Sequence, residues 1–385
     1  MAQDLLRGGS MFSSDVIKQR LDPAVFNLPV EKMRAGYYSD TYFNRARTIL
    51  ARDGHHPTVR MQVFARSQAV LCGIDEALAI LRMCSGRTLP DGSWEDGWPS
   101  LTVRALHDGD PIEPYESVLT IDGDFELFAH LETCYLGVLS RRTRIASNAR
   151  RIVEAANGKT VLFFPARFDH HLVQTGDGYA AYISGALGVS TDANAEWWGA
   201  QGMGTVPHAL IAAYRGDTVL ATKKFAEYIE PEVSVITLVD YENDCVNTSI
   251  AVARALGKRL WGVRLDTSGT LVDMSLWDQM GTFKPTGVVP QLVWNVRNGL
   301  DAEGFNDVKI VVSGGFDAAK IATFERERVP VDAYAVGSAF FDGSGKYDFT
   351  ADIVAMQQPD GSWVECHKVG RPERPNPRLE RVIFA

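Results

Sequence analysis

The stretch Lys309-Ile310-Val311-Val312-Ser313-Gly314-Gly315-Phe316-Asp317 is a short β-rich run that leads through a glycine pair into a helical segment. Similar β-rich runs recur from residue 160 onward, each followed by a Gly, Asp or Ser turn and an amphipathic stretch. They are residues 161–164, 233–239, 261–265, 309–312 and 333–336. Strands that alternate with helices form right-handed βαβ units, so this part of the chain is predicted to be α/β, with a parallel sheet. The sheet is either a closed barrel or a doubly wound open sheet, and in both its active-site face lies at the carboxyl ends of the strands.

The chain before residue 140 has a different pattern. Residues 59–65 alternate like a strand, residues 74–83 have helical spacing, and residues 101–106 and 118–121 favour a strand, turn, strand arrangement. Residues 88–97 are rich in Gly, Pro, Asp and Ser, which predicts a surface loop. We therefore expect an N-terminal α+β domain over residues 1–140 and the α/β domain over residues 141–346.

Composition limits the classes of function. The chain has 385 residues, of which 45% are hydrophobic and 23% charged, and its net charge of −9 opposes general binding to nucleic acid or anionic membranes. The five cysteines have no CxxC spacing, which argues against a disulfide framework or a zinc site. No apolar run approaches the ~18 residues that span a bilayer, and the first four residues do not resemble a signal peptide. The sequence predicts a cytoplasmic protein.

Two successive strands end in turns suited to anions. Ser313-Gly314-Gly315 follows one strand and Gly337-Ser338 the next, and both turns present free backbone N–H groups. Paired loops of this kind on the last strands of a barrel are a recurrent way to hold a phosphorylated sugar, although a glycine pair alone also marks an ordinary turn.

Alternation places Arg264 and Asp266 on one face of a strand. Arg264 can grip a carboxylate or phosphate with two hydrogen bonds, and Asp266 can accept ribose hydroxyls or hold Mg²⁺. The alternative is that the two side chains only neutralise each other.

His208 follows the turn Gln201-Gly202-Met203-Gly204-Thr205-Val206-Pro207. A single histidine is usually structural or merely exposed, but two glycines allow close backbone approach and leave room for a group beside the imidazole. A second candidate feature is the arginine cluster that contains Arg144, which is either a positive patch for an anion or a solvated helix face.

The order and spacing of these segments resemble the nicotinate phosphoribosyltransferase family of type II phosphoribosyltransferases, which also includes nicotinamide and quinolinate enzymes. The matching segments are Asp40-Thr41-Tyr42-Phe43, Glu132-Thr133, Phe164-Pro165-Ala166-Arg167, Gly204-Thr205-Val206-Pro207-His208, Val263-Arg264-Leu265-Asp266, Ser313-Gly314-Gly315-Phe316-Asp317 and Val336-Gly337-Ser338. The resemblance implies an irregular α/β barrel with a second α+β domain, to which the tail 347–385 also belongs. It also implies a homodimer or higher homo-oligomer with active sites between subunits.

The resemblance also implies roles for the site residues. Catalysis would rest on His208, Arg264 and Asp266, with His208 phosphorylated by ATP in the presence of Mg²⁺, and no residue is assigned as a fixed metal ligand. The substrates would be nicotinate and phosphoribosyl pyrophosphate, forming nicotinate mononucleotide and pyrophosphate in NAD biosynthesis. Substrate binding would involve Tyr42 from a neighbouring subunit, Phe164, Arg167, Ser190, Arg144, Ser313, Gly314, Gly315, Gly337 and Ser338.

Two positions bear on the choice of substrate. The chain has Arg167-Phe168 where family members commonly have two adjacent arginines. Ser190 stands where nicotinamide enzymes have an aspartate, which favours the acid over the amide, although Asp192 lies two residues on. The alternatives are a nicotinamide or quinolinate enzyme, a non-catalytic relative that binds phosphoribosyl ligands, and an unrelated barrel aldolase or isomerase using Lys159, Lys223 or Lys224.

Overall fold

The computed structural model describes residues 19–384. The α-helices are α1 (Val30–Arg34), α2 (Thr41–Asp53), α3 (Ile74–Cys84), α4 (Glu132–Ala155), α5 (Gln174–Ile183), α6 (Asp192–Ala195), α7 (His208–Ala213), α8 (Thr218–Tyr228), α9 (Cys245–Leu256), α10 (Pro290–Ala302) and α11 (Ala318–Arg326). The strands are β1 (Thr58–Ala65), β2 (Ala69–Val70), β3 (Gly86–Thr88), β4 (Trp94–Asp96), β5 (Thr102–Ala105), β6 (Pro111–Ile112), β7 (Ser117–Asp124), β8 (Thr160–Phe163), β9 (Gly188–Val189), β10 (Val235–Leu238), β11 (Leu260–Leu265), β12 (Lys309–Val312), β13 (Ala333–Val336), β14 (Phe349–Gln357), β15 (Trp363–Glu365) and β16 (Glu380–Arg381).

Contacts divide the described residues into two compact units. The barrel unit comprises residues 148–342, and the sheet unit comprises residues 19–147 and 343–384. The first four residues, which the sequence indicates are not a signal peptide, lie outside the described residues. Within residues 19–384, every helix is too short or too polar to cross a membrane.

The barrel unit is built on a parallel sheet in the order β10-β11-β12-β13-β8-β9. All residues of β8, β10 and β13 are buried, as expected for parallel strands covered on both faces. The predicted alternation of strands and helices is therefore confirmed.

A short irregular segment joins the two edges of this sheet. The N–H of Met203 donates to the carbonyl of Val189 at 2.8 Å, and the N–H of Val206 donates to the carbonyl of Ile236 at 2.8 Å. Residues 203–206 therefore bond to both β9 and β10, which makes the unit an irregular α/β barrel rather than a doubly wound open sheet. The side chain of Met203 fills the space beside Gly188, where a Cβ would lie 2.2 Å from the Met203 sulfur.

The sheet unit is organised around an antiparallel sheet in the order β15-β14-β1-β7-β5-β16. Helix α3 packs an apolar face against this sheet, with Leu78, Ile80 and Leu81 fully buried in a core shared with α4. The expectation of an α+β arrangement, with no βαβ repeat, is confirmed.

The loop predicted over residues 88–97 is wrong in part, because β3 and β4 form an antiparallel hairpin there. The guanidinium groups of Arg34 and Arg47 lie 4.9 and 5.7 Å from the ring centroid of Trp94. Cation–π contacts of this kind stabilise an otherwise polar hairpin, and they come from residues distant in sequence.

The C-terminal tail, which is rich in proline and arginine, forms hydrogen bonds with the sheet unit of the same chain. Strand β16 pairs with β5, and the side-chain amide of Gln62 donates to the carbonyl of Pro372 at 3.1 Å. The described part of the tail is therefore held against the antiparallel sheet.

Candidate functional site

The carboxyl ends of neighbouring barrel strands carry polar and glycine residues that lie close together. Asp240 follows β10, Asp266 follows β11, Ser313 follows β12 and Gly337 follows β13. Because the strands are parallel, these ends share one edge, as the sequence predicted. Hydrogen bonds between them define the candidate site.

His208 is the first residue of α7 and pairs with Asp240. Its Nε2 lies 3.1 Å from Oδ1 of Asp240, and the imidazole remains half exposed while the carboxylate is buried. The hydrogen bond to Asp240 raises the pKa of His208, and burial opposes this in part. The charge of Asp266 raises the same pKa and that of Arg264 lowers it, so all four groups share one electrostatic environment.

Arg264 and Asp266 form the centre of a second set of contacts. Arg264 donates from Nη1 to the hydroxyl of Thr205 at 2.8 Å and from Nη2 to Asp266 at 3.3 Å. Asp266 also accepts from the hydroxyl of Ser313 at 2.7 Å. The Arg–Asp pair predicted as an alternative therefore exists, but the buried Nε of Arg264 has no hydrogen-bond partner among the described residues. A buried N–H that is left unpaired is energetically costly.

The loop after β12 has the backbone of an anion-binding turn. Gly314 and Gly315 have φ of +83° and +74°, a conformation that residues with a Cβ adopt only at a cost. A Cβ on Gly314 would lie 3.4 Å from Oδ1 of Asp266, so the loop passes close to that carboxylate. Asp317 caps α11 by accepting from the N–H of Lys320 at 2.8 Å.

The loop after β13 is covered by an aromatic ring. A Cβ on Gly337 would lie 2.8 Å from Cε2 of Phe168, so the phenyl ring rests on this glycine. Arg167 is exposed and its guanidinium lies 5.4 Å from the centre of the same ring. Ser338 is exposed at the start of the next helical turn.

Two further predicted residues lie where barrel strands β8 and β9 end. Phe164 is half buried against a cluster that includes Leu162, Met203 and Trp261. The hydroxyl of Ser190 is buried and has no hydrogen-bond partner among the described residues. Asp192 is exposed and accepts from the N–H of Gly202 at 2.8 Å.

Tyr42 and Arg144 belong to the sheet unit. Tyr42 is 61% exposed at the start of α2, with its ring 4.4 Å from that of Phe43. Arg144 is half buried on α4. In the same cluster, Arg142 is buried and bonded to Glu76 at 2.9 Å, so the solvated-face alternative is wrong for Arg142.

Asp240 and Thr205 have no assigned role among the sequence predictions, although Asp240 directly follows the run 233–239 and Thr205 lies in the segment before His208. Each contacts a predicted catalytic residue, and each lies beside a strand end, which is the signal that identifies them. The aldolase alternative is not supported for Lys159, which precedes β8 at its amino end and bonds to Glu325 at 2.8 Å.

Comparison with known proteins places this geometry in a family. Residues 40–143 match the family model of the quinolinate phosphoribosyl transferase N-terminal domain. A nicotinate phosphoribosyltransferase of Mycobacterium tuberculosis is 32% identical over 248 residues, 63% of this chain and 50% of that protein. A nicotinate phosphoribosyltransferase of Bacillus subtilis is 26% identical over 279 residues, 70% of this chain and 52% of that protein. The chain thus spans about half the length of these curated relatives.

A solved structure covers much more of the chain. The nicotinate-nucleotide pyrophosphorylase of Pyrococcus furiosus is 34% identical, covers 92% of this chain and 85% of its own, and superposes with a TM-score of 0.74. Human nicotinic acid phosphoribosyltransferase shares the fold at 18% identity, covering 83% of this chain and 74% of its own, with a TM-score of 0.60. The sequence, the fold and the relatives agree, and the chain belongs to the nicotinate phosphoribosyltransferase family of type II phosphoribosyltransferases.

Proposed function

We propose that this protein is a nicotinate phosphoribosyltransferase that joins nicotinate to phosphoribosyl pyrophosphate and releases pyrophosphate, in NAD biosynthesis. The observation that carries the proposal is the contact series Thr205, Arg264, Asp266, Ser313 beside the His208–Asp240 pair. It combines a cation, a carboxylate and a glycine loop at the carboxyl ends of the barrel strands. A phosphorylated sugar with a leaving pyrophosphate needs these groups.

Different residues of the site bind different parts of the substrate. The N–H groups after Ser313 and Gly337 bind the 5′-phosphate, because turns rich in glycine leave those donors open. Asp266 accepts ribose hydroxyls. Arg264 binds the pyrophosphate through its guanidinium group, and its bonds to Thr205 and Asp266 hold the guanidinium plane in place.

In the reaction, the ring nitrogen of nicotinate forms a bond to C1 of the sugar while the bond from C1 to the pyrophosphate oxygen breaks. The electron pair of that bond leaves with pyrophosphate. Catalysis is then positioning together with stabilisation of the departing charge by Arg264. Mg²⁺ is usually bound through one or two carboxylates plus substrate phosphates, and Asp266 fits that role. When bound, Mg²⁺ would offset charge on the pyrophosphate.

His208 is the proposed acceptor of a phosphoryl group from ATP. Because a carboxylate only accepts, the bond to Asp240 keeps the proton on Nε2 and leaves the lone pair of Nδ1 free. Attack of Nδ1 on the γ-phosphorus releases ADP, and later hydrolysis of the phosphohistidine releases phosphate. The energy of that hydrolysis drives nucleotide formation forward.

Recognition of the base is the basis for preferring nicotinate. Ser190 places an uncharged hydroxyl where a carboxylate would repel the nicotinate carboxylate, and Asp192 is engaged by the N–H of Gly202. The pyridine ring would lie between Phe164 and Tyr42 of a second copy, so a homodimer or higher homo-oligomer in the cytoplasm is part of the proposal.

The test is a product assay with nicotinate, nicotinamide and quinolinate, each with phosphoribosyl pyrophosphate and with or without ATP. We expect nicotinate mononucleotide and pyrophosphate, with ATP raising the yield. Preferential use of nicotinamide or quinolinate would reassign the base.

A second candidate function is that of a non-catalytic relative that binds phosphoribosyl ligands. Phe168 favours it, because a phenyl ring rests on Gly337 where family members commonly carry an arginine. Calorimetric binding of phosphoribosyl pyrophosphate without any pyrophosphate release would support this candidate over the enzyme.

A further inference from the structure

The sheet unit contains a concave pocket that is lined by none of the predicted site residues. Its volume is about 320 Å³, and its lining includes Arg66, Arg371 and Arg374 together with Gln62, Phe64 and Tyr115. Within the described part of the chain, no carboxylate lines it. Three guanidinium groups around one pocket are unusual in a chain of net charge −9.

Most of the donors in this arginine pocket are unused. Among residues 19–384, the side chains of Arg66 and Arg374 form no ion pair and no hydrogen bond with the protein. Arg371 donates from Nη1 to Asp352 at 2.7 Å, which leaves its Nε and Nη2 without an acceptor in the described part of the chain. The contrast is Arg378 in the same tail, which bonds to Glu116 at 2.8 Å and lies 3.6 Å from Asp110.

The backbone that carries two of these arginines is fixed in place. Buried Gln62 donates to the carbonyl of Pro372 at 3.1 Å and accepts from the N–H of Arg374 at 3.0 Å. The hydroxyl of Ser117 donates to the carbonyl of Arg374 at 2.8 Å. These bonds hold the tail against β1 and β7, so Arg371 and Arg374 approach the pocket from a rigid segment.

The aromatic walls orient the cations. The guanidinium of Arg374 lies 4.6 Å from the ring centre of Tyr115, and that of Arg371 lies 5.7 Å from the ring centre of Phe64. Tyr115 has φ of +67°, a strained conformation that its N–H bond to the carbonyl of Ala65 at 2.7 Å maintains. Because the guanidinium groups cover these ring faces, a ligand in the pocket contacts positive charges and hydrogen-bond donors and does not stack on the aromatic rings.

We propose that the arginine pocket binds a compact anion bearing phosphate groups, such as pyrophosphate or the phosphate end of a phosphorylated metabolite. Guanidinium groups match phosphate oxygens through paired hydrogen bonds, and the pocket offers such donors from three directions. The pocket lies wholly within the sheet unit, so the proposal does not depend on the chemistry assigned to the barrel.

The test uses inorganic pyrophosphate and a readout confined to the pocket, because the barrel loops are themselves proposed to bind phosphate. The full chain is treated with phenylglyoxal, which modifies exposed arginines, and the rate at each arginine is followed by peptide mass spectrometry. At a pyrophosphate concentration tenfold above its Kd, the modification of Arg66 and Arg374 should slow about tenfold. Arg52, which is exposed in the same unit and has no ion pair or side-chain hydrogen bond among the described residues, should react at an unchanged rate.

A variant separates binding from general shielding. Arg66→Glu removes no ion pair or side-chain hydrogen bond within residues 19–384, and it should raise the pyrophosphate concentration needed to protect Arg374 about ten- to a hundredfold. Arg52→Glu makes the same charge change outside the pocket and should leave that protection intact. Equal modification rates with and without pyrophosphate, or full protection in Arg66→Glu, would overturn the proposal.

Discussion

Nε2 of His208 lies 3.1 Å from Oδ1 of Asp240, and the two residues follow Val206 and Thr237, which form a parallel backbone bridge. The irregular segment 203–206 therefore has two structural roles. It bonds to both edges of the sheet, and it delivers the imidazole to the carboxylate at the end of β10. The histidine is held by the fold of the barrel as well as by its own hydrogen bond.

Replacing Asp240 with asparagine should reduce phosphorylation of His208 by about a hundredfold or more, because the carboxylate that fixes the tautomer is lost. Labelling with γ-³²P ATP and measuring the acid-labile, base-stable phosphate gives the rate. Product formation without ATP should fall much less. If Asp240→Asn lowered both rates equally, Asp240 would act on the transfer reaction itself.

The same pair predicts a pH dependence. The bond to Asp240 raises the pKa of His208 above its usual 6.5. Phosphorylation requires the neutral imidazole, so its rate should increase as pH rises through the raised pKa. In Asp240→Asn that inflection should move to lower pH. The stabilising effect of the pair on folding has the opposite sign: it is fully present below the unfolded pKa and is lost as pH rises through the folded pKa.

Arg264→Lys keeps the positive charge but cannot bond to Thr205, Asp266 and a ligand in one plane. We expect KM for phosphoribosyl pyrophosphate to rise about ten- to a hundredfold, with a much smaller change in KM for nicotinate. Steady-state kinetics with each substrate varied in turn measures both. Arg259→Lys is the matched control, since Arg259 bonds to the main-chain carbonyls of Glu230 and Val233 before β10. An unchanged KM for phosphoribosyl pyrophosphate would remove Arg264 from pyrophosphate binding.

The two glycines before His208 have different roles, contrary to the expectation that both leave room for a ligand. A Cβ on Gly202 would lie 2.6 Å from the backbone of Thr191, whereas a Cβ on Gly204 would meet nothing within 4 Å. Gly202→Ala should therefore lower the free energy of unfolding by about 1–3 kcal/mol, and Gly204→Ala by less than about 0.5 kcal/mol. Urea unfolding of both variants checks this. Equal destabilisation would show that the segment tolerates neither side chain.

Gly204→Ala then tests the space beside the imidazole. If that space receives a phosphoryl group, the variant should fold normally but lose ATP-dependent labelling of His208. Normal labelling in a stably folded Gly204→Ala would mean that the phosphoryl group lies elsewhere.

The regular strands of the barrel could be predicted from sequence because each is a run of buried β-branched or apolar residues before a turn. The strand β9 and the segment 203–206 could not, since a strand of two residues and a turn with glycine and proline have no periodicity. Their role depends on hydrogen bonds to Val189 and Ile236, which only the folded chain brings together. The hairpin of β3 and β4 was missed for a related reason, because its stabilising arginines come from α1 and α2.

In the candidate site, Arg264, Asp266 and the glycine loops could be predicted from the sequence, because they lie at the ends of predicted strands. The side-chain partners of these residues could not be predicted. The sequence places Asp240 and Thr205 near a strand end, but it does not show which side chain each contacts. Arg142 also could not be placed from the sequence. A charged residue in an arginine cluster can lie on a solvated helix face, but Arg142 is buried and bonds to Glu76.

Ser190 gives the sharpest test of the base that the site accepts. Its hydroxyl lies directly after β9 and is buried without a hydrogen-bond partner among residues 19–384, so a substitution there breaks no side-chain hydrogen bond of the described chain. In Ser190→Asp, a carboxylate repels nicotinate and accepts from the amide of nicotinamide. We expect the ratio of kcat/KM for nicotinate over nicotinamide to fall about a hundredfold, a change of about 2.7 kcal/mol.

The control for Ser190→Asp is Ser190→Ala, which removes the hydroxyl without adding charge. If charge decides the preference, Ser190→Ala should keep most of the selectivity for nicotinate, and the ratio should change little. The pH dependence gives a second check, because protonation of the new carboxylate at low pH should restore the use of nicotinate by Ser190→Asp. A ratio that stays the same in Ser190→Asp at every pH would place the carboxylate of nicotinate away from Ser190, and selection for the acid would then have to come from Arg167, the exposed cation after β8.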